Sequence, residues 1–256
     1  MGSGVPRHAG DPVIDGALDT ALRDAARRAT LLVASDYDGV LSPIVDDPSA
    51  AVSHAPAVAA LAGLSECAGV HAVIISGRSR QVLEELAGAP ASVTLVGNHG
   101  ARAADQDTAA RAASVAEAVT DLARSFDGAV VELKPLGAAF HYRHVEDPGE
   151  AADAAREIGG RFGARTIEGK MVVEIVVGHG DKGSAVAAMR ERWSADVVVF
   201  FGDDVTDESV FVTLGPDDIG VKVGPGPTAA GYRVDDPVEV AGALEALLAE
   251  LRSVSR

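Results

Sequence analysis

Short runs of consecutive apolar residues alternate along the chain with longer amphipathic stretches. The runs at 31–35, 71–76, 92–96, 196–201 and 219–223 have strand length and few polar interruptions, which predicts strands buried on both faces. Between them, apolar residues recurring at helical spacing predict helices over 14–28, 56–67, 79–87, 182–193, 207–214 and 237–252. This alternation predicts an α/β fold class, with a doubly wound, mostly parallel sheet. Residues 101–177 break the pattern with a helix over 109–126, strands over 129–133 and 137–145, a second helix, and a final hairpin whose second strand is 171–177. The expected division is a core domain of residues 1–100 and 178–256, with an α+β cap domain of residues 101–177 inserted into it. Gly224-Pro225-Gly226-Pro227 reads as a rigid loop rather than a linker.

At 256 residues the chain can bury one large core or a core with an insertion. Its formal charge of −16 repels nucleic acid and anionic lipid, so neither is an expected partner. A single cysteine, Cys67, excludes an intrachain disulfide and fits a reducing compartment. No apolar run reaches the roughly 20 residues a membrane span needs, and residues 1–10 lack the apolar stretch of a signal peptide. A soluble, cytoplasmic protein is therefore expected; it is taken as a monomer, and no basic or aromatic-rich patch suggests a macromolecular partner. Of the basic residues eighteen are Arg and only four are Lys, at 134, 170, 182 and 222, which singles the lysines out for inspection.

In parallel α/β sheets, sites form at the carboxyl ends of strands, so polar residues just beyond the apolar runs are candidates for chemistry. Asp36 and Asp38 follow the first run; at spacing two they face one way, and two such anions call for a cation between them or a retained proton. Ser76-Gly77-Arg78 ends the second run in a strand-to-helix turn able to receive an anion, although a helix cap explains it as well. Lys182 stands at a helix start, where the dipole disfavours an idle cation. Gly202-Asp203-Asp204-Val205-Thr206-Asp207-Glu208 groups hard oxygen ligands of the kind Mg²⁺ takes; Asp207 and Glu208 also fit as ordinary first-turn helix acids, whereas Asp203 and Asp204 do not.

In this order, the four motifs resemble those of the haloacid dehalogenase-like phosphatases. The resemblance implies a Rossmann-like core in which Asp36 is the nucleophile and Asp38 the general acid and then base. Ser76 and Lys182 would hold the phosphoryl oxygens. Asp36, the Asp38 backbone carbonyl and Asp203 would bind Mg²⁺, with Asp204 and Asp207 in support. An acid two residues after the nucleophile suits ester hydrolysis, because it can protonate an alkoxide leaving group and then activate water. Only 39 residues separate Asp36 from Ser76 but 105 separate Ser76 from Lys182, which puts the cap in the second gap.

Over residues 31–248 the chain is similar to the trehalose-6-phosphate phosphatases. The carriers are Ser35-Asp36-Tyr37-Asp38-Gly39, Ile75-Ser76-Gly77-Arg78, Gly97-Asn98-His99-Gly100, His141-Tyr142-Arg143, Gly169-Lys170-x-x-x-Glu174 and the 202–208 segment. By that resemblance Gly77, Arg78, Asn98, His99, Arg143, Lys170 and Glu174 contact substrate, and the cap closes over it to exclude water. Lys170 and Glu174 lie at even spacing on a predicted strand, so both can face one side; a cross-strand ion pair is the plainer alternative. His99 and His141 fit equally as structural residues, and His8, His54, His71, His144 and His179 are read so. Val40 replaces the usual Thr, and Val176-Val177 the usual Arg-Pro, which leaves room for a related disaccharide or pseudo-disaccharide phosphate. A silent sugar-phosphate-binding module is the reading from another class.

Overall fold

The structure, a computed structural model, describes residues 15–45, 47–100, 106–177 and 181–254. Residues 1–10, His8, His179 and Gly180 lie outside the described residues. Two compact units are present: Met1–Gly100 with Asp181–Arg256, and Ala101–Gly180.

In the first unit, strands β1 (Leu31–Ser35), β2 (Val70–Ile75) and β3 (Thr94–Val96) form one half of a sheet. Its helices in the same stretch of chain are α1 (Gly16–Ala25), α2 (Ala55–Ser65) and α3 (Arg80–Leu86). The second unit holds α4 (Gln106–Ala123), β4 (Val130–Lys134), β5 (Gly137–His141), α5 (Pro148–Phe162), β6 (Arg165–Gly169) and β7 (Val172–Val176). The chain then completes the first unit with α6 (Lys182–Trp193), β8 (Val197–Gly202), α7 (Glu208–Phe211), β9 (Ile219–Val223), β10 (Tyr232–Val234) and α8 (Pro237–Val254).

The first unit's six strands run in the order β10-β9-β8-β1-β2-β3, every neighbouring pair parallel. Alternation along each strand sends side chains to opposite faces. Leu31, Val33, Val199 and Phe201 join Leu18, Leu22, Leu61, Leu64, Leu244 and Leu247 from α1, α2 and α8. Leu32, Val73, Val198 and Phe200 join Val186, Met189 and Trp193 from α6 on the other side. Each fully buried side chain of this size contributes about 1.5–3 kcal/mol, so the doubly wound arrangement follows from the uninterrupted apolar runs.

The second unit is an antiparallel sheet, β4-β5-β7-β6, with its own core. One face, with Ala138, Phe140, Val173 and Ile175, packs against Val115 and Val119 of α4 and Ala151, Ala155 and Ile158 of α5. Helix α5 starts at Asp147, which accepts from Gly149 and Glu150 N–H at 3.0 Å, and ends at left-handed Gly163.

Several elements differ from the sequence expectation. The helix expected over 207–214 is a 3₁₀ turn, Val205–Asp207, followed by the short α7, because Asp204 and Asp207 pull the backbone into a tight loop. Strand β5 stops at His141, four residues early, and β10 is an added edge strand whose three residues carry no apolar run. Lys170 is exposed in the β6–β7 turn, next to left-handed Met171, so it is not on the strand that carries Glu174. Cys67 lies just past the end of α2, half-buried. Among the described residues no helix is long and apolar enough to cross a membrane.

Candidate active site

The carboxyl ends of β1 and β8 adjoin, and Asp36 N–H donates to the Phe201 carbonyl at 2.9 Å. This register sets Asp36 and the acidic loop after β8 side by side. Asp36 is buried, its Oδ1 accepting from Tyr37 N–H at 2.7 Å and its Oδ2 lying 2.8 Å from Lys182 Nζ. Lys182, the first residue of α6, also donates to Asp207 Oδ1 at 2.7 Å. A capping box between Asp181 and Ser184 starts that helix and points Lys182 inward.

Asp207 is fully buried, and its other oxygen accepts from the N–H groups of Asp203 and Asp204 at 2.9 and 3.0 Å. It is an organising residue, not a spare first-turn acid. Asp204, in contrast, is exposed and spends Oδ1 on Val205 N–H at 2.6 Å as a cap. One carboxylate oxygen each from Asp36, Asp203 and Asp207 lies within 4.8 Å of the others. The structure thus brings Asp36, Lys182, Asp203 and Asp207 together and leaves the Asp204 and Asp38 carboxylates out of the cluster.

Burial is the main reason the Asp36 carboxyl sits well above its ordinary value; Lys182 opposes it, while Asp207 and Asp203 add to it. Asp203 is pushed up to about 7 by burial and by the charges of Asp207 and Asp204. Burial works against the Lys182 charge too, yet Asp36 and Asp207 outweigh it and hold its pKa above the usual lysine value. Three carboxylates confronting two ammonium groups, Lys182 and Lys222, still leave surplus negative charge, and hard oxygen donors in such a cluster suit a divalent cation.

Asp38, two residues on, pairs with Arg78: Nε donates to Oδ2 at 2.7 Å and Nη2 to Oδ1 at 2.6 Å. Between the two aspartates Tyr37 is wholly buried, its hydroxyl near the carbonyls of Ala51 and Leu86 at 3.1 and 3.2 Å. Gly39 has φ of +75°, and a Cβ there would stand 2.0 Å from Asp203 Oδ2, so only glycine lets this loop pass the acidic cluster. Ser76 is buried at the end of β2, its Oγ accepting from Arg78 N–H at 3.2 Å. Asn98 and His99 are left-handed, at φ of 54° and 53°, and the His99 ring lies where a Cβ on Gly77 would go, 2.6 Å away. The Asn98 Oδ1 is buried and has no hydrogen-bond partner among the described residues.

Sequence reasoning did not place Lys222, which is buried on β9 and donates to the Asp203 carbonyl. Its rarity as one of four lysines was the available signal. In the second unit Glu132, Lys134 and Glu174 fall on the sheet face opposite the helices, with Glu132 and Glu174 in one row across Ala139. Lys134 Nζ lies 2.9 Å from Glu132 Oε1, and His141 Nε2 is 3.4 Å from Oε2. These two contacts, His141 foremost, hold Glu132 down at about 2, whereas burial raises Glu174. The period-two spacing of Glu132 and Lys134 was the clue to that face. Arg143 is exposed just beyond β5.

The parallel core and the acidic strand ends give the chain a haloacid dehalogenase-like fold. A haloacid dehalogenase-like hydrolase from Bacteroides thetaiotaomicron shares this fold, with a TM-score of 0.61 over 84% of this chain and 98% of that one, at 16% identity. The chain belongs to the trehalose-phosphatase family, which matches residues 34–237. It is 35% identical over 235 residues to the trehalose-phosphate phosphatase of Mycobacterium marinum, covering 80% of this chain and 58% of that protein. The chain thus spans less than two thirds of that relative. The Aspergillus fumigatus trehalose-6-phosphate phosphatase aligns with a TM-score of 0.68 and 26% identity over 94% of this chain and 99% of that one.

Proposed function

We propose that the chain is a Mg²⁺-dependent phosphatase that hydrolyses trehalose 6-phosphate to trehalose and inorganic phosphate. The observation that carries this reading is the buried Asp36 carboxylate 2.8 Å from Lys182, in a cluster with Asp203 and Asp207 and on the framework of this family. Asp36, Asp203 and Asp207 are the residues that would hold Mg²⁺, which when bound neutralises charge on the phosphoryl group.

Asp36 attacks phosphorus through one carboxylate oxygen, forming an aspartyl-phosphate as the bond to the sugar oxygen breaks. Asp38 gives its proton to that leaving oxygen, then takes one from the water that attacks phosphorus, and Asp36 is released with inorganic phosphate. Lys182 supplies fixed positive charge beside the nucleophile, and the Ser76 hydroxyl and nearby N–H groups orient the phosphoryl oxygens. On the second unit, Glu132, Lys134 and Glu174 offer the alternating carboxylate and ammonium groups that bind sugar hydroxyls, with Arg143, Lys170, Asn98 and His99 as further substrate contacts.

Asp36→Asn keeps the side chain's shape and removes the nucleophile. The expected result is loss of phosphate release by at least about a thousandfold with an unchanged circular-dichroism spectrum. Substantial residual turnover by the folded variant overturns the mechanism.

A further inference from the structure

Arg78 is engaged on all three guanidinium nitrogens. Nε and Nη2 grip the two oxygens of Asp38, and Nη1 donates to the Pro48 carbonyl at 2.8 Å. The guanidinium also lies 5.7 Å from the centroid of the buried Tyr37 ring. Its main chain ties the same region together, with N–H directed to Ser76 Oγ and the carbonyl accepting from Asn98 N–H at 2.8 Å. The Arg78 side chain is 15% exposed and that of Asp38 34%, so the arginine is the fixed member and the aspartate the more accessible one. A fork of two parallel charge-assisted bonds fixes the orientation of a carboxylate as well as its place.

We propose that Arg78 is a positioning residue that acts through Asp38, fixing the orientation of that carboxylate for proton transfer, rather than a residue that binds the phosphate of the substrate. At least three of its five N–H donors are already committed to protein oxygens, on all three nitrogens. A phosphate could therefore reach at most the remaining N–H donors on Nη1 and Nη2, and not the Nε–Nη2 edge that holds Asp38. The inference rests on the reading of Asp38 as the acid and base, and it departs from the substrate contact that family resemblance implies for Arg78.

The test is a double-mutant cycle with Arg78→Gln, Asp38→Asn and the pair, assayed on trehalose 6-phosphate with Mg²⁺, with Asp36→Asn alongside. If Arg78 works through Asp38, Arg78→Gln lowers kcat about tenfold to a hundredfold, leaves KM within about twofold, and changes kcat less than about twofold once Asp38 is Asn. The Ki of inorganic phosphate stays unchanged. Arg78→Lys, which keeps the charge but not the fork, recovers part of the lost kcat and carries the same cycle should Arg78→Gln not fold. Losses that multiply in the double variant, a raised KM or phosphate Ki with kcat retained, or no effect at all would overturn the inference. Turnover surviving in Asp36→Asn overturns the phosphatase mechanism itself, whereas an inactive Asp36→Asn with multiplying losses overturns only the role of Arg78.

Discussion

Asp204 and Asp207 stand three residues apart on one loop and differ in almost every physical respect. Asp207 is fully buried, pairs with Lys182 and closes two backbone N–H groups, while Asp204 is exposed and caps a single turn. Removing one member of a buried ion pair costs about 3–5 kcal/mol, because the remaining polar groups stay buried. Asp207→Ala is therefore expected to lose about that much in denaturant unfolding, against about 0.5–2 kcal/mol for Asp204→Ala, the range for a lost cap. Equal losses would contradict the division of labour. In the sequence the two acids were indistinguishable in type, and Asp204 was the better candidate for chemistry. Burial decided between them, and burial of a short acidic loop depends on a lysine 25 residues upstream.

At the scale of elements, the turn after β1 depends on its glycine. Gly39→Ala forces a side chain into left-handed backbone and onto the Asp203 carboxylate, so it is expected to lower both stability and turnover; an unperturbed variant by thermal unfolding and phosphate release would refute the close approach. The face of the second unit's sheet that carries Glu132 makes a pH prediction. Glu132 is held at about 2, below its ordinary value of 4.5, so it binds fewer protons folded than unfolded. Its contribution is present above pH 4.5 and is lost as pH falls toward 2. Glu132→Gln is accordingly expected to melt below the parent at pH 5.5 and together with it at about pH 2; a gap independent of pH would rule out the pairing with His141 and Lys134. Strand β1, strand β9 and helix α6 were legible to the residue, because short, mostly apolar runs bounded by polar or turn residues and a helical stretch with a capping acid before it admit one reading. Lys170 was misplaced because even spacing identifies a shared strand face only if both residues are in the strand, and a hairpin turn intervenes.

At the scale of the molecule, three hydrophobic clusters underlie the two units, two flanking the first unit's sheet and one in the second unit. Phe140 is fully buried in the second, where Phe→Ala typically costs about 3–5 kcal/mol. Phe140→Ala is expected to speed amide hydrogen exchange throughout 106–177 while 31–35 and 197–202 keep their protection; a uniform loss would mean that the units unfold as one. The α/β class and the order of motifs were readable from the chain. The site shared by Asp36, Lys182 and Asp207 was expected from the resemblance, but the direct pairings of Asp38 with Arg78 and of Lys182 with Asp36 and Asp207 were not, since side-chain partners this far apart in the chain are chosen by packing rather than local pattern.

The most direct measurement is phosphate release from trehalose 6-phosphate, glucose 6-phosphate and sucrose 6-phosphate, each with Mg²⁺ and with excess chelator. The expected result is a kcat/KM for trehalose 6-phosphate at least about a hundredfold above the other two, abolished by the chelator and restored by added Mg²⁺. Comparable rates on all three would refute the substrate assignment, and release that persists in chelator would refute the metal-dependent chemistry assigned to Asp36, Asp203 and Asp207.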